Sequence, residues 1–251
     1  QLVERLDEPE PLLVALVDRD HLRLLRVGDH RVEEEAPIVM PRERAVDTSV
    51  ELGSWEHHDE EAARAHHRRA ARALDDSVRR RPVGQIVVGG PDDAVAELER
   101  FLPPATAALI VGRVGARVAD AAPRITSTAR AVAEDAERRR EAALVEDIRR
   151  RAAGRHGAVT GLSATLDALA ERRVATLLVR DGFSAPGARC PACGHVGAAV
   201  RQCSRCGATN VDIDDVVEVA IEEAIVQSAA VEFCRATDLD RFGSIAAVER
   251  F

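Results

Sequence analysis

A chain of 251 residues with 46% hydrophobic content can build one large core or two ordinary ones, but with 2% aromatic residues and no tyrosine it must fill them with Val, Leu, Ile and Ala. No apolar run approaches the ~18 residues that a membrane span needs and no signal peptide opens the chain, so a soluble, cytoplasmic protein is expected. The net charge of −8, with every one of the 35 basic residues an arginine, argues against a surface that grips nucleic acid everywhere and leaves room for a local arginine face.

The apolar run Leu12 to Val17 stops at Asp18-Arg19-Asp20 and resumes at His21 to Val27, which predicts a buried strand, a turn and a second strand. Gly28-Asp29 turns the chain into a third strand over Arg31 to Ala36, and the charged stretch from Pro37 to Gly53 is expected to be an exposed loop. A helix follows from Ser54, its expected cap, to about Arg80, and Pro82 ends it. Next come a short buried strand at Gln85–Val88, a helix from Asp92 to Leu102 and a strand at Ala107–Val111. A meander followed by alternating strands and helices indicates a mixed sheet between layers of helix. Pro123 opens the longest helical run, which reaches Ala153 before Gly154 and Gly157 stop it; the domain boundary is expected there.

The second body reads as a helix at Leu162–Glu171, a strand at Val174–Val179, a cysteine-bearing insert over 187–210, a helix capped by Asp214 or Asp215 and running through Gln227, and strands at Val231–Cys234 and Ile245–Phe251. The insert carries Cys190-Pro-Ala-Cys193-Gly194 and, after a nine-residue spacer, Cys203-Ser-Arg-Cys206-Gly207. Two thiols three positions apart reach one metal ion, and a glycine after each pair supplies the turn that a side chain would hinder. Zn²⁺ held by Cys190, Cys193, Cys203 and Cys206 is the expected arrangement; two disulfides, or reduced and empty thiols, are the alternatives. A four-thiolate site has no open position for water, so the expected role is structural. His195 and Cys234 are expected to be a turn residue and a buried strand residue.

Beyond the cysteines, the pairing of Leu-Leu-Val-Ala-Leu-Val-Asp-Arg (12–19) with a helix containing His66-His67 resembles the opening of the middle domain in bacterial relatives of archaeo-eukaryotic release factors. Gln85-Ile-Val-Val-Gly-Gly-Pro91, Gly161-Leu162 to Leu169, Arg173 to Val179 and Phe242-Gly-Ser-Ile-Ala-Ala247 agree with that resemblance. The superfamily also holds Pelota-type rescue factors and hibernation factors, and its third domain often carries a C-x-x-C…C-x-x-C insert at this place. The resemblance implies an α/β chain of two three-layer domains with mixed sheets, plus a zinc-ribbon insert built on the four cysteines. On that resemblance residues 1–153 are expected to be the ribonuclease-H-like middle domain, and residues 154–251 a small domain of the type found in ribosomal proteins that bind kinked RNA. It further implies an N-terminal domain upstream of Gln1, in keeping with a chain whose only methionine is Met40. Ribosomal RNA and a translational GTPase are the implied partners. Release factors hydrolyse peptidyl-tRNA with a Gly-Gly-Gln loop; here Gly89-Gly90 is followed by Pro91 and Gly84-Gln85 leads straight into a strand, so the esterase motif is missing.

Asp18 and Asp20 could hold Mg²⁺ in a nuclease-like sheet, but a tight turn explains them too, and Asp47, Glu51 and Asp92 are not brought to them by the sequence alone. The pairs His57-His58 and His66-His67 sit nine residues apart, on opposite helix faces at 100° per residue, so they are poor joint ligands; a solvated face with one residue packing inward is expected. Arg138–Arg140 and Arg149–Arg151 alternate with Glu, which suggests pairing within the helix. Arg79, Arg80 and Arg81 have fewer acidic neighbours and are the better RNA-phosphate candidates. Gly112-Arg-Val-Gly115 lacks the Lys-Ser/Thr ending of a phosphate loop. The expected function is a non-enzymatic, ribosome-associated factor, with a metal-dependent hydrolase acting on RNA or peptidyl-tRNA and a zinc-loop interaction scaffold as the alternatives.

Overall fold

The computed structural model describes residues 11–28, 31–35, 38–39, 52–154, 157–235 and 237–250, with side chains left out at 38–39, 52–60 and 237–238. The chain is mixed α/β and divides into two compact units, Gln1–Ala136 and Glu137–Phe251.

In the first unit, β1 (Leu12–Val17) lies at the centre of a six-stranded sheet with β2 (His21–Val27), β3 (Val32–Glu34), β4 (Ile38–Val39), β5 (Gln85–Gly89) and β6 (Ile110–Val114). The order is β3-β2-β1-β5-β6, with β4 also on β2. β1 pairs antiparallel with β2, Leu12 opposite Val27, and parallel with β5, Leu12 opposite Gln85. A continuous apolar run suits a strand buried on both faces, and the alternation of its side chains shows how. Leu13, Ala15 and Val17 enter one core with Leu74, Ile86 and Leu98; Leu12, Val14 and Leu16 enter the other with Ile125 and Ala129. Burying each such Leu or Val side chain contributes about 1.5–3 kcal/mol.

The first core is covered by α1 (Leu52–Arg80) and α2 (Asp92–Phe101), the second by the N-terminal half of α4 (Ala122–Ala153). The C-terminal end of α1 is held by a buried cation, Arg26 on β2. Its guanidinium donates to the carbonyls of Arg81 at 2.9 Å and Ser77 at 3.2 Å, and to Glu35 at 3.3 Å. The Ser77 carbonyl also accepts from Arg81 N–H at 3.1 Å, so Arg26 adds a second donor there and takes up the Arg81 carbonyl just past the helix end. The strand expected at 107–111 starts three residues later. Pro103-Pro104 opens a single helical turn, α3 (Pro104–Ala107), because proline suits the first turn of a helix, and Thr106 donates its hydroxyl to Asp75.

In the second unit β7 (Ala158–Thr160), β8 (Val174–Arg180), β12 (Ala230–Cys234) and β13 (Ile245–Glu249) form a four-stranded sheet of order β12-β8-β13-β7. β12 runs parallel to β8, and β13 antiparallel to both β8 and β7. One face packs Leu178, Cys234 and Ala246 on Val145 and Ile148 of α4; α5 (Leu162–Ala170) and α6 (Val216–Val226) also lie against this sheet. The expected boundary at 153/154 thus differs from the division at 136/137. Ile125, Ala129 and Ala133 of α4 are buried in the first unit, and Val145 and Ile148, twelve or more residues on, are buried in the second. A three-stranded antiparallel sheet, β10-β9-β11, built from β9 (Gly187–Arg189), β10 (Val196–Ala198) and β11 (Val211–Ile213), carries the cysteine insert.

Candidate metal centre

The two cysteine pairs adopt the same backbone form. Cys190 N–H donates to the His195 carbonyl at 2.8 Å and Gly194 N–H to the Cys190 carbonyl at 2.8 Å; Cys203 and Gly207 repeat this with Ala208 and Cys203, each at 2.9 Å. Each loop closes on a glycine in the left-handed region, Gly194 at φ 73° and Gly207 at φ 75°, where a β-carbon is strained. The first cysteine of each pair is buried and the second exposed, and the four Sγ atoms lie within 4.8 Å of one another. Across the loops, Cys190 and Cys206 are 3.4 Å apart and Cys193 and Cys203 are 3.5 Å apart. Such an arrangement can hold one metal ion in a closed shell. No other group of three or more Cys, His, Asp or Glu ligands converges among the described residues.

The thiols are prepared unequally. Burial works against ionising Cys190, but N–H groups of Cys193 and Ala192 and the thiol of Cys206 outweigh it and bring Cys190 down to about 7. At Cys206 a backbone N–H from Ala208 favours the thiolate, yet hydrogen bonds with Cys190 and Cys193 push it up to about 12. Thiols must lose their protons to become ligands, so metal binding at this site releases protons. The insert is anchored at both ends. A β-carbon on Gly187 would meet Val216 at 2.4 Å, so only glycine lets β9 approach α6 this closely. Asp215 accepts from Val217 N–H at 2.8 Å and starts α6.

His195 is half-buried, with Nε2 3.5 Å from the Ser204 hydroxyl, and Cys234 is buried in the core of the second unit, where burial pushes its thiol up to about 11. Neither joins the sulfur cluster, as expected.

Asp18 and Asp20 form a turn. The Asp18 carboxylate accepts from Asp20 N–H at 2.8 Å, from His21 N–H at 2.7 Å and lies 3.1 Å from His21 Nδ1. Partial burial works against the charge, but these donors hold the carboxyl below its ordinary value. Asp92 is exposed at the start of α2, 3.9 Å from Arg113, while Asp47 and Glu51 lie outside the described residues. Gly112-Arg113-Val114 lies within β6, where a β-carbon on Gly112 would meet Val132 at 2.5 Å; the glycine serves packing against α4.

The histidine expectation needs correcting. His66 and His67 are both buried, at 0% and 4% exposure, their rings edge to face with centroids 5.5 Å apart, and among the described residues none of their four ring nitrogens has a hydrogen-bond partner of good geometry. Because α1 is covered on more than one side, the 100° between neighbours turns neither ring to solvent. The side chains of His57 and His58 lie outside those described. Burial, the largest influence, lowers the pKa of His66, against weaker opposition from the nearby His21 backbone and from Asp18 and Asp20. The folded state favours neutral imidazole, so this contribution to stability is present above the unfolded value of ~6.5 and lost as pH falls below it. Thermal unfolding should therefore show a midpoint that drops between pH 7 and pH 5, and His66→Leu should flatten that drop; an unchanged profile in the variant would contradict the assignment.

The arginine runs are committed to carboxylates of the protein itself. Arg79 pairs with Asp75 at 2.8 Å, Arg80 with Glu35 at 3.6 Å and Arg81 with Glu33 at 2.6 Å. On α4, Arg149 pairs with Glu146 at 2.6 Å, and Arg150 and Arg151 with Asp147 at 3.3 and 2.7 Å; Arg140 reaches Glu137 at 3.1 Å and Glu232 on β12.

Residues 1–141 match the family model "Bacterial archaeo-eukaryotic release factor family 10". The chain belongs to that family. No curated protein matches it. Among solved structures, the fold of this family member is similar to archaeal Pelota in a model of ribosome-bound archaeal Pelota and ABCE1. That likeness has 16% identity and a TM-score of 0.58, and covers 95% of this chain and 61% of that one. It is also similar to S. cerevisiae Dom34, described as a translation termination-like factor involved in RNA quality control pathways and interacting with Hbs1. The identity there is 9% and the TM-score 0.54, over 96% of this chain and 63% of that one. The archaeal translation termination factor aRF1 matches at 17% identity and TM-score 0.38, over 96% of this chain and 62% of that one. The family member thus spans little more than three fifths of the length of these relatives.

Proposed function

We propose that this release-factor family member is a ribosome-associated binding factor of release, rescue or hibernation type, acting by occupancy rather than by hydrolysis, with one structural Zn²⁺ on Cys190, Cys193, Cys203 and Cys206. Membership of the release-factor family carries the reading, and the fold likeness to ribosome-bound Pelota supports it. The donor set fits zinc. Four thiolates suit a borderline-soft dication in a tetrahedral, closed shell, which leaves no position for an activated water. The ion would fix a loop with few apolar residues of its own. A second protein partner is expected by the same likeness, since Dom34 is described as interacting with Hbs1, and a translational GTPase is the class that fits.

The chain is expected to co-sediment with purified ribosomes at low salt and to show no divalent-ion-dependent turnover of RNA or peptidyl-tRNA. Absence of any association, or turnover that Asp18→Asn abolishes, would overturn the reading in favour of a hydrolase.

A further inference from the structure

Residues 182–211 are the longest stretch of this chain without an Asp or Glu, in a protein that has 43 of them. The stretch holds the metal loops and three arginines, Arg189, Arg201 and Arg205, all exposed. Among the described residues none of these guanidiniums makes an ion pair or a side-chain hydrogen bond, in contrast with Arg79–Arg81 and Arg149–Arg151, each spent on a neighbouring carboxylate. Arg189 lies on the central strand β9, directly opposite Val196 on one side and Val211 on the other. Residues so opposed share a face, so the cation sits between two valines, of which Val211 is 59% exposed. Arg205 sits inside the second metal loop, its own N–H donating to Cys203 Sγ at 3.4 Å, and Arg201 lies just before that loop, its carbonyl accepting from Asn210 N–H at 3.0 Å. Even with four thiolates on a dication, the three arginines leave the segment net positive, on a chain whose net charge is −8.

We propose that the ribbon is the RNA-backbone contact surface of the chain, with Arg189, Arg201 and Arg205 as its phosphate ligands; this deepens the ribosomal reading and rests on it. Guanidiniums without competing carboxylates bind phosphate oxygens bidentately. Fixing them on a metal-braced ribbon lowers the entropy lost on contact. The contact is sequence-independent, and the chain's net charge of −8 disfavours RNA binding over the rest of the protein.

The test uses the full chain with its metal, a fluorescein-labelled RNA hairpin read by anisotropy, and purified ribosomes. The combined variant Arg189→Gln, Arg201→Gln, Arg205→Gln should keep about one metal per chain and its unfolding midpoint. It should bind the hairpin at least about tenfold more weakly, with a log-affinity against log-salt slope shallower by about 2–3. The matching variant of Arg79, Arg80 and Arg81 should change affinity less than about twofold. Undiminished hairpin affinity in the ribbon variant overturns the proposal; if ribosome binding falls while hairpin affinity holds, the ribbon meets protein and not RNA. Wild-type chain that sediments with ribosomes alongside an equally competent ribbon variant sinks this inference alone, whereas wild-type chain that fails to sediment sinks the ribosomal reading with it.

Discussion

Gly90→Ala is expected to destabilise the first unit by about 4 kcal/mol or more, lowering its thermal midpoint by roughly 12 °C or preventing its folding. Gly90 sits at φ 133°, and a β-carbon there would lie 1.9 Å from the carbonyl oxygen of Val17, well inside van der Waals contact with backbone that cannot yield. Its neighbour Gly89 is closed in by Leu16 and Val114, each at 2.7–2.8 Å from the added carbon. Both glycines mark the place where β5 passes tightest against β1 and β6, and any shift there moves the central strand whose two faces feed both cores. The pair is therefore a packing device, and Pro91 after it leads into α2. Gly115→Ala is the control, since nothing lies within 4 Å of its added carbon. Equal midpoints for the two alanine variants would refute the argument.

Cys203→Ser is expected to reduce bound zinc from about one per chain to near zero and to leave amides of 187–213 unprotected against hydrogen exchange. Amides of β8 and β13 should stay protected. Structural zinc contributes on the order of 10–16 kcal/mol in small zinc-binding peptides, far more than the short strands β9, β10 and β11 can supply by burial. The ribbon sheet has only three residues per strand, and of these Val211 and Ala198 are exposed. Cys234→Ser should keep its metal, because that thiol is buried in the core of the second unit and is not part of the sulfur cluster. Zinc retained by Cys203→Ser, or lost from Cys234→Ser, would show that the ligand set is wrong.

The sequence announced features whose physics is local. The run 12–17, apolar without alternation, read as a buried strand, and β1 spans those residues; Asp214 or Asp215 read as a cap, and Asp215 is it. The metal loops were legible because ligand spacing and glycine geometry are both written within five residues. What the sequence did not announce depends on partners far along the chain. Pro103-Pro104 displaced β6 because Thr106 finds Asp75, 31 positions away. His66 and His67 looked like a half-solvated pair because helical period says which residues share a face and not how many faces are covered. The arginine runs were ranked by acidic neighbours in sequence, but Arg80 and Arg81 are neutralised across β3 and its flank by Glu35 and Glu33, more than 40 residues distant. Conversely, the three ribbon arginines, scattered singly, gave no run to notice; the signal in hindsight was the missing carboxylates around them.

The proposed action by occupancy, taken as filling a tRNA site on the ribosome, is tested most directly by competition on purified vacant ribosomes at low salt, with labelled tRNA and rising concentrations of this chain in its zinc-bound form. The account predicts saturable displacement of tRNA from one site, with one chain bound per ribosome. Simultaneous binding of both, or no binding of the chain at any concentration that saturates tRNA, would contradict it.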